Sequence, residues 1–269
     1  MAKAAFSAVV LDLFDTLVKW EPARLPLMEL DGRQIRTTMP WIFPKMIELF
    51  GAAFERDRFI RVYSTVTEEI MFERERDGIE ITCHERFRRT LTRLELVHSD
   101  GAAVHAAPVE RGAALDWRVR DLAEELTRVH MAAVRNVTWA PEGRVAAVRR
   151  IAPHYRLGLL SNFDDAQCGR EVLADTGVAK LFEAVVISAE VGLRKPGRRI
   201  FEHLRAMIGV ASEEILFVGD TPRDDVLGAS AAGMRTAWIS KGASSIPEGI
   251  PAPDFIIDDL ADLPRILDI

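Results

Sequence analysis

The hydrophobic positions of this chain predict two kinds of structure. Residues 6–11 are almost wholly apolar and rich in Val, which predicts a strand buried on both faces. From Pro141 onwards, apolar segments of strand length alternate with amphipathic segments of helix length, and a last helix closes the chain. The predicted strands are 155–160, 184–188, 215–218, 236–240 and 255–257, and the predicted helices are 141–152, 165–175, 197–208 and 224–232. This alternation is typical of an α/β fold with a Rossmann-like parallel sheet.

Residues 20–137 interrupt this pattern with a helical period. Phe59, Tyr63, Val66 and Ile70 are spaced three or four residues apart, as on one face of a helix. The predicted helices are 55–76, 84–97 and 117–134, with a loop over 99–115. The turn-rich residues 19–43 leave room for a short hairpin around Asp31-Gly32, but no strand signal is convincing. We therefore predict an α/β core, residues 1–19 and 138–269, with an inserted all-helical domain, residues 20–137.

Composition narrows the class of protein. Of 269 residues, 48% are hydrophobic and 28% charged, which excludes a largely disordered chain. The net charge of −6 gives no basic surface for nucleic acid, and two cysteines are too few for a disulfide framework or zinc site. No apolar run approaches the roughly 20 residues of a membrane span, and the N-terminus lacks a signal-peptide pattern. We expect a soluble cytoplasmic protein without nucleic-acid or membrane partners.

Polar residues stand at the ends of the predicted strands or the starts of helices. They are Asp12, Asp15 and Thr16, then Ser161 and Asn162, then Lys195, then Asp220, Asp224 and Asp225. Such positions converge at one edge of a parallel sheet. Clustered acids favour Mg²⁺, a lysine and a hydroxyl suit a phosphoryl group, and a carboxylate can attack phosphorus. Alone, Asp12 could equally cap a turn, but the four groups together predict phosphoryl chemistry.

The same residues resemble the four motifs of the haloacid dehalogenase superfamily. The motifs are Val-Leu-Asp-Leu-Phe-Asp-Thr-Leu around Asp12, Leu-Leu-Ser-Asn ending at Asn162, Leu-Arg-Lys-Pro around Lys195, and Phe-Val-Gly-Asp-Thr-Pro-Arg-Asp-Asp ending at Asp225. They cover the whole predicted core. The insertion between the first two motifs is similar to the family's helical cap of the first type.

The resemblance implies a role for each of these residues. Asp12 would be the nucleophile, and Lys195 would steady it and the developing charge. The predicted phosphate contacts are Thr16, Ser161, Asn162 and Lys195. The predicted metal site consists of Asp12, the carbonyl of Phe14, Asp220 and Asp225. Asp12, the Phe14 carbonyl and Asp220 would bind Mg²⁺ directly, and Asp225, together with Asp224, would support these ligands.

Phe14 departs from the family's pattern. Phosphatases of this family usually carry a second Asp there, which protonates the leaving group and later activates water. Phe can do neither, and losing a general acid typically costs roughly 10²–10⁴-fold in rate. Asp15 is the candidate substitute, although in an extended backbone its side chain would point away from that of residue 14. The sequence therefore predicts a slow phosphatase, or one whose substrate has a good leaving group such as an acyl phosphate.

Other functions stay open at this point. The dehalogenase branch of the family also has an aromatic residue at this position, but it does without the metal site that Asp220 suggests. The phosphonate-cleaving branch needs a cap lysine, for which Lys45 is a thin candidate. A non-catalytic binding protein or a phospho-acceptor switch could retain the fold. We expect a Mg²⁺-dependent phosphatase acting on a small phosphorylated metabolite, and the sequence predicts no oligomeric state.

Overall fold

The chain divides into two compact units. A computed structural model describes residues 6–30, 32–51, 54–94, 108–243 and 245–269. The first unit comprises the described residues of Met1–Trp20, Gly78–Glu80 and Thr138–Ile269, and the second comprises those of Glu21–Asp77 and Ile81–Val137.

The first unit contains a six-stranded parallel sheet, as the sequence predicts. The described strands of both units, in chain order, are β1 Ala8–Leu11, β2 Lys19–Trp20, β3 Leu27–Leu30, β4 Arg33–Arg36, β5 Thr138–Trp139, β6 Arg156–Ser161, β7 Phe182–Ile187, β8 Ile215–Gly219, β9 Arg235–Ile239 and β10 Phe255–Ile257. The order in the sheet is β10-β9-β8-β1-β6-β7, and β2 pairs with β5 in a separate antiparallel ribbon. Strand β1 lies between β6 and β8, so the residues that follow it lie between the ends of two neighbours.

Helices occur in both units. The described helices are α1 Met39–Phe50, α2 Arg56–Asp77, α3 Cys83–Leu94, α4 Pro108–Asn136, α5 Glu142–Ile151, α6 Ala166–Asp175, α7 Ser188–Val191, α8 Arg198–Ile208, α9 Gly228–Ala231 and α10 Leu263–Ile266. Of these, α5–α10 belong to the first unit. A π-helical turn spans Pro222–Leu227, and 3₁₀ turns span Pro22–Arg24, Ala179–Leu181, Ser212–Glu214 and Leu260–Asp262. Among the described helices, none is long and apolar enough to cross a membrane.

The core of the first unit explains why its strands read as continuous apolar runs. All four residues of β1 are buried, and Leu11 is level with Leu159 of β6 and Val218 of β8. One buried cluster joins β1 and β8 to the apolar face of α8, with Phe201 and Phe217 in an edge contact. Burial on both faces removes the polar alternation of a surface strand.

Three expectations about local structure were wrong. The second unit is not wholly helical, since β3 and β4 form an antiparallel hairpin whose turn includes Gly32 at φ 74°. Helix α4 begins at Pro108, inside the loop predicted for residues 99–115, of which residues 99–107 lie outside the described residues. The helix predicted over 224–232 is a π-helical turn followed by the short α9, a widening that positions Asp225.

Candidate functional site

The site lies within the first unit, where the sheet brings three predicted motifs together. Asp12 follows β1 directly, Ser161 ends β6, and Asp220 follows β8. The backbone N–H of Asp12 donates to the carbonyl of Val218 at 2.9 Å, which continues the ladder as far as the acid. The central strand therefore carries its carboxylate between the two neighbouring loops.

Lys195 joins Asp12 to Asp225 in the interior. Its Nζ donates to Asp12 Oδ1 at 2.7 Å, to Asp225 Oδ1 at 2.6 Å and to the carbonyl of Leu160 at 3.1 Å. An ammonium group has three N–H donors, so each finds an acceptor. The exposed fraction is 3% for Lys195, 7% for Asp12 and 1% for Asp225, so all three charges are out of the solvent.

Gly219 makes room for the buried Asp225. A Cβ at position 219 would lie 2.2 Å from Asp225 Oδ2, so no larger residue fits beside this carboxylate. The backbone N–H of Thr221 donates to the same oxygen at 2.9 Å. The glycine and the π-helical turn together orient Asp225 toward Lys195.

Burial controls the protonation of this cluster. It raises the pKa of Asp12 to about 7, although Lys195 opposes the rise. It raises the pKa of Asp225 for the same reason. Burial alone would lower the pKa of Lys195, but the two carboxylates more than offset that effect and raise it. For Asp12 and Asp225, burial therefore outweighs the stabilising charge of Lys195.

The acids also fit a divalent cation. Asp12, Asp220 and Asp225 each offer a carboxylate oxygen, and these oxygens lie within 4.8 Å of one another. Hard oxygen donors are the ligands that Mg²⁺ prefers, and a cation would offset the negative charge that burial leaves there. The donor set therefore suits the metal that the sequence suggests.

The side chain of Asn162 holds the loops of two other motifs. Its Oδ1 accepts from the backbone N–H of Lys195 at 2.9 Å, and its Nδ2 donates to the carbonyl of Lys195 at 2.9 Å. Nδ2 also donates to Asp224 Oδ2 at 3.0 Å. These contacts occupy the amide, which leaves the backbone near Asn162 as the part that could face a substrate.

Two buried hydroxyls have no partner among the described residues. They are Thr16 Oγ1 and Ser161 Oγ, on side chains that are 0% and 1% exposed. A buried hydroxyl without a hydrogen bond is costly, so such groups usually await a ligand or a water molecule. Ser161 ends β6 and Thr16 lies in the loop that follows the neighbouring strand β1. The sequence predicts the phosphate contacts at these two positions.

Phe14 and Asp15 take different directions after β1. The ring of Phe14 packs on that of Phe163, with centroids 4.6 Å apart and planes tilted by 34°. Asp15 has a φ of 60°, so the alternation of an extended strand does not apply to it. Its Oδ2 lies 3.7 Å from Nζ of Lys241, which also donates to Asp220 Oδ2 at 2.9 Å. The expectation that the side chain of Asp15 points away from that of residue 14 assumed an extended backbone, and a φ of 60° contradicts that assumption.

Sequence reasoning missed the buried Arg144. Its side chain is 3% exposed, and its guanidinium donates to the carbonyls of Asp15 and Val18 at 3.0 and 3.4 Å. It also pairs with Asp259 at 2.9 Å. Arg144 therefore fixes the loop after Asp12. A sequence feature could have revealed Arg144, because it shares a helical face with Val148 and Ile151. A charged residue is unexpected on such an apolar face.

Glu80 is a second missed residue. It lies between α2 and α3 in the chain but belongs to the first unit. Ser188 Oγ donates to its Oε2 at 2.5 Å, and Arg194 pairs with the same oxygen. Ser188 Oγ also accepts from the backbone N–H of Phe163 at 2.8 Å. Glu80 thus contacts Arg194, the neighbour of Lys195, and is linked through Ser188 to Phe163, the neighbour of Asn162.

Comparisons of sequence point to a single group of hydrolases. A family model described as HAD-hydrolase-like matches residues 192–263. The chain is 30% identical over 175 residues to the pyrimidine 5′-nucleotidase YjjG of Escherichia coli (strain K12), an alignment that covers 64% of this chain and 76% of that protein. It is 38% identical over 148 residues to the phosphoserine phosphatase of Thermus thermophilus, covering 54% of this chain and 56% of that protein. The chain thus spans little more than half the length of this second relative.

A comparison of structures adds the fold. The 2-haloacid dehalogenase from Pseudomonas syringae pv. Tomato DC3000 superposes with a TM-score of 0.68, covers 98% of both chains and is 19% identical. The HAD phosphatase from Thermococcus onnurineus superposes with a TM-score of 0.55, covers 97% of both chains and is also 19% identical. At such identities the likeness concerns the fold alone.

Proposed function

Because this chain belongs to the haloacid dehalogenase superfamily of hydrolases, we propose that it is a Mg²⁺-dependent phosphatase whose nucleophile is Asp12. The observation that carries this proposal is the buried Asp12–Lys195 pair beside two further acids. A fold has no need for buried acids of raised pKa, whereas a nucleophile needs a fixed and desolvated carboxylate.

The first chemical step is attack by Asp12 on the phosphorus of a phosphate monoester. Lys195 binds Oδ1, so we assign the attack to Oδ2. The new bond joins Oδ2 to phosphorus, and the bond from phosphorus to the leaving oxygen breaks. The unpartnered hydroxyls of Thr16 and Ser161 would donate to the phosphoryl oxygens and hold them for in-line attack.

The second step is hydrolysis of the aspartyl-phosphate. Water attacks phosphorus, the bond to Asp12 breaks, and inorganic phosphate leaves. Phe14 can neither donate nor accept a proton in either step. Asp15 is the candidate acid and base, because its left-handed backbone brings its carboxylate near Lys241, the partner of Asp220.

Asp12, Asp220, Asp225 and the carbonyl of Phe14 would hold the metal. When bound, Mg²⁺ would favour the ionised form of the acids and neutralise charge on the phosphoryl oxygens. Lys195 supplies a fixed positive charge in the same place, and it keeps Asp12 oriented before substrate arrives.

Small phosphorylated metabolites are the substrate class that we propose. The relatives are named for phosphoserine, for pyrimidine 5′-nucleotides and for an N-acylneuraminate 9-phosphate, all of which are small phosphate monoesters. We assign selection among such compounds to the inserted residues 20–137, the predicted cap.

A second candidate is hydrolysis of a 2-haloacid. The pair of Phe14 and Phe163 favours it, because it presents apolar surface where a phosphatase of this family usually has an acid. Asp12 would then attack carbon, release halide and form an ester. The acid cluster of Asp12, Asp220 and Asp225 favours the phosphatase, since that displacement has no use for a metal.

The test measures phosphate release from p-nitrophenyl phosphate and chloride release from 2-chloropropionate, each with Mg²⁺ and with chelator. We expect phosphate release that needs Mg²⁺ and is lost in Asp12→Asn. The matched control is Asp57→Asn, an exposed acid of α2, which should behave like the wild type. Chloride release alone would establish the second candidate, and the absence of both reactions would favour a non-catalytic role.

A further inference from the structure

Lys241 is a cation of the site that no motif includes. It follows β9 by two residues, and its Nζ donates to Asp220 Oδ2 at 2.9 Å. The same nitrogen lies 3.7 Å from Asp15 Oδ2. Lys241 thus joins the loop after β1 to the loop after β8 at the exposed edge of the site.

The backbone around Lys241 is built to hold it there. Among the described residues, three that are not glycine have a positive φ, namely Asp15 at 60°, Lys241 at 51° and Asp268 at 54°. Two of these three face each other across the site. Left-handed backbone costs free energy for a residue with a Cβ and persists where the surroundings determine it, commonly at functional sites.

Hydrogen bonds on the preceding residue fix this geometry. The backbone N–H of Ser240 donates to the carbonyl of Ile257 at 2.8 Å, and its Oγ donates to Asp258 at 2.9 Å. The N–H of Ala243 then closes a turn onto the carbonyl of Ser240 at 2.9 Å. The side chain of Lys241 is therefore projected from an anchored turn.

The two lysines of the site serve different acids. Lys195 binds Asp12 and Asp225 in the interior, whereas Lys241 binds Asp220 at the edge. In this arrangement Asp220 already contributes an oxygen to the cluster of three acids while it is bonded to Lys241. The contact with Lys241 is thus compatible with the orientation that a metal ligand needs.

We propose that Lys241 is a positioning residue that holds Asp220 in the metal-binding orientation and keeps Asp15 close to Asp220. This inference rests on the proposed function, because it gives Asp220 a metal to bind. Groups that hydrogen-bond a ligating carboxylate from outside typically change metal affinity by about 10–100-fold when they are removed.

The experiment compares Lys241→Met and Lys241→Arg with the wild type. The matched control is Lys180→Met, at an exposed lysine of the Ala179–Leu181 turn. Mg²⁺ binding is measured by calorimetry without substrate, and kcat and KM are measured on p-nitrophenyl phosphate. We expect Lys241→Met to weaken Mg²⁺ binding about tenfold and to lower kcat, with KM changed by less than about twofold. Lys241→Arg should recover most of both, and Lys180→Met should match the wild type.

Each other outcome decides a different question. Unchanged or tighter Mg²⁺ binding in Lys241→Met would overturn the inference, and tighter binding would mean that Lys241 merely repels the metal. If the wild type binds Mg²⁺ but does not hydrolyse the ester, the proposed function fails, while weaker binding in Lys241→Met still supports the inference. A wild type that does not bind Mg²⁺ would overturn both.

Discussion

The charged cluster around Lys195 and the cluster on α2 and α3 contain the same kinds of side chain but differ in burial. In the first, Asp12 and Asp225 share one buried lysine. In the second, Glu85 accepts hydrogen bonds from Arg88 and Arg89 at 2.6–2.9 Å, while 28–34% of each of these side chains stays exposed. Arg89 also reaches across to Glu73 of α2 at 2.7 Å.

The pKa values of the acids shift in opposite directions. Burial raises that of Asp12 to about 7, whereas the hydrogen bond from Arg88, helped by Arg89, lowers that of Glu85 to about 2. On α3, Arg88 and Arg89 stabilise the charge of Glu85, which is already partly solvated. In the buried cluster, burial disfavours the ionised form of the acids, which lowers the stability of the fold. Such unfavourable burial of charge is typical of functional sites.

The largest effect is expected for Lys195→Met. This change leaves Asp12 and Asp225 buried without their shared counter-charge, so both the ground state and the reaction lose their fixed cation. We expect phosphate release to fall by about 10²–10³-fold and the free energy of unfolding to fall by about 3 kcal/mol. Kinetics and urea unfolding measure the two losses. The control Lys180→Met, at an exposed lysine, should change neither activity nor stability. Full activity in Lys195→Met would contradict the assignment of the buried cluster as the active site.

A gain of function is expected for Phe14→Asp on substrates with poor leaving groups. The new carboxyl group would protonate the leaving oxygen, a contribution typically of about 10²-fold or more. Alkyl phosphates should gain most, and p-nitrophenyl phosphate little, because its leaving group needs no proton. Rates across a series of such esters measure the effect.

The control for this change is Phe14→Leu, which also removes the ring contact with Phe163 but adds no acid. Equal gains in both variants would show that relief of packing, rather than an acid, raises the rate. No gain in Phe14→Asp would favour Asp15 as an acid already in place.

The smallest effect is expected for Glu85→Gln in the helical cluster. Because the folded-state pKa is lowered from 4.5 to about 2, charged Glu85 stabilises the fold above about pH 4.5 and loses this effect as the pH falls toward 2. Solvent screening limits the loss in Glu85→Gln to about 1 kcal/mol at neutral pH.

Unfolding by urea between neutral pH and about pH 3 measures this dependence. The difference between Glu85→Gln and the wild type should shrink as the pH falls. The exposed Glu124→Gln should show no such difference. A difference that grows in acid would contradict the direction of the shift.

Much of the first unit could be predicted because its signals are local. Apolar runs predicted each strand of the six-stranded sheet, and the ends of three of these runs pointed to Asp12, Ser161 and Asp220. The Asp12–Lys195 contact joins residues 183 positions apart. Sheet topology predicted that the polar groups converge at one edge, and the resemblance to the family implied that Lys195 contacts Asp12.

The missed features depend on contacts that no local pattern encodes. Arg144 acts on a carbonyl 129 positions away, and Lys241 depends on a left-handed turn after β9. In the π-helical turn at Pro222–Leu227, Asp225 packs against Gly219 and accepts a hydrogen bond from Lys195, and both contacts are distant in sequence or depend on the turn itself. Helical periodicity alone gave an ordinary helix there.

Trapping the covalent intermediate tests the central claim most directly. The protein would be mixed with p-nitrophenyl phosphate and Mg²⁺, quenched in acid within the first turnovers, digested and analysed by mass spectrometry. The account predicts one phosphoryl group on the peptide that contains Asp12, and its absence in Asp12→Asn together with loss of turnover. Hydrolysis that continues in Asp12→Asn, or a phosphoryl group on another residue, would contradict the assignment of Asp12 as the nucleophile.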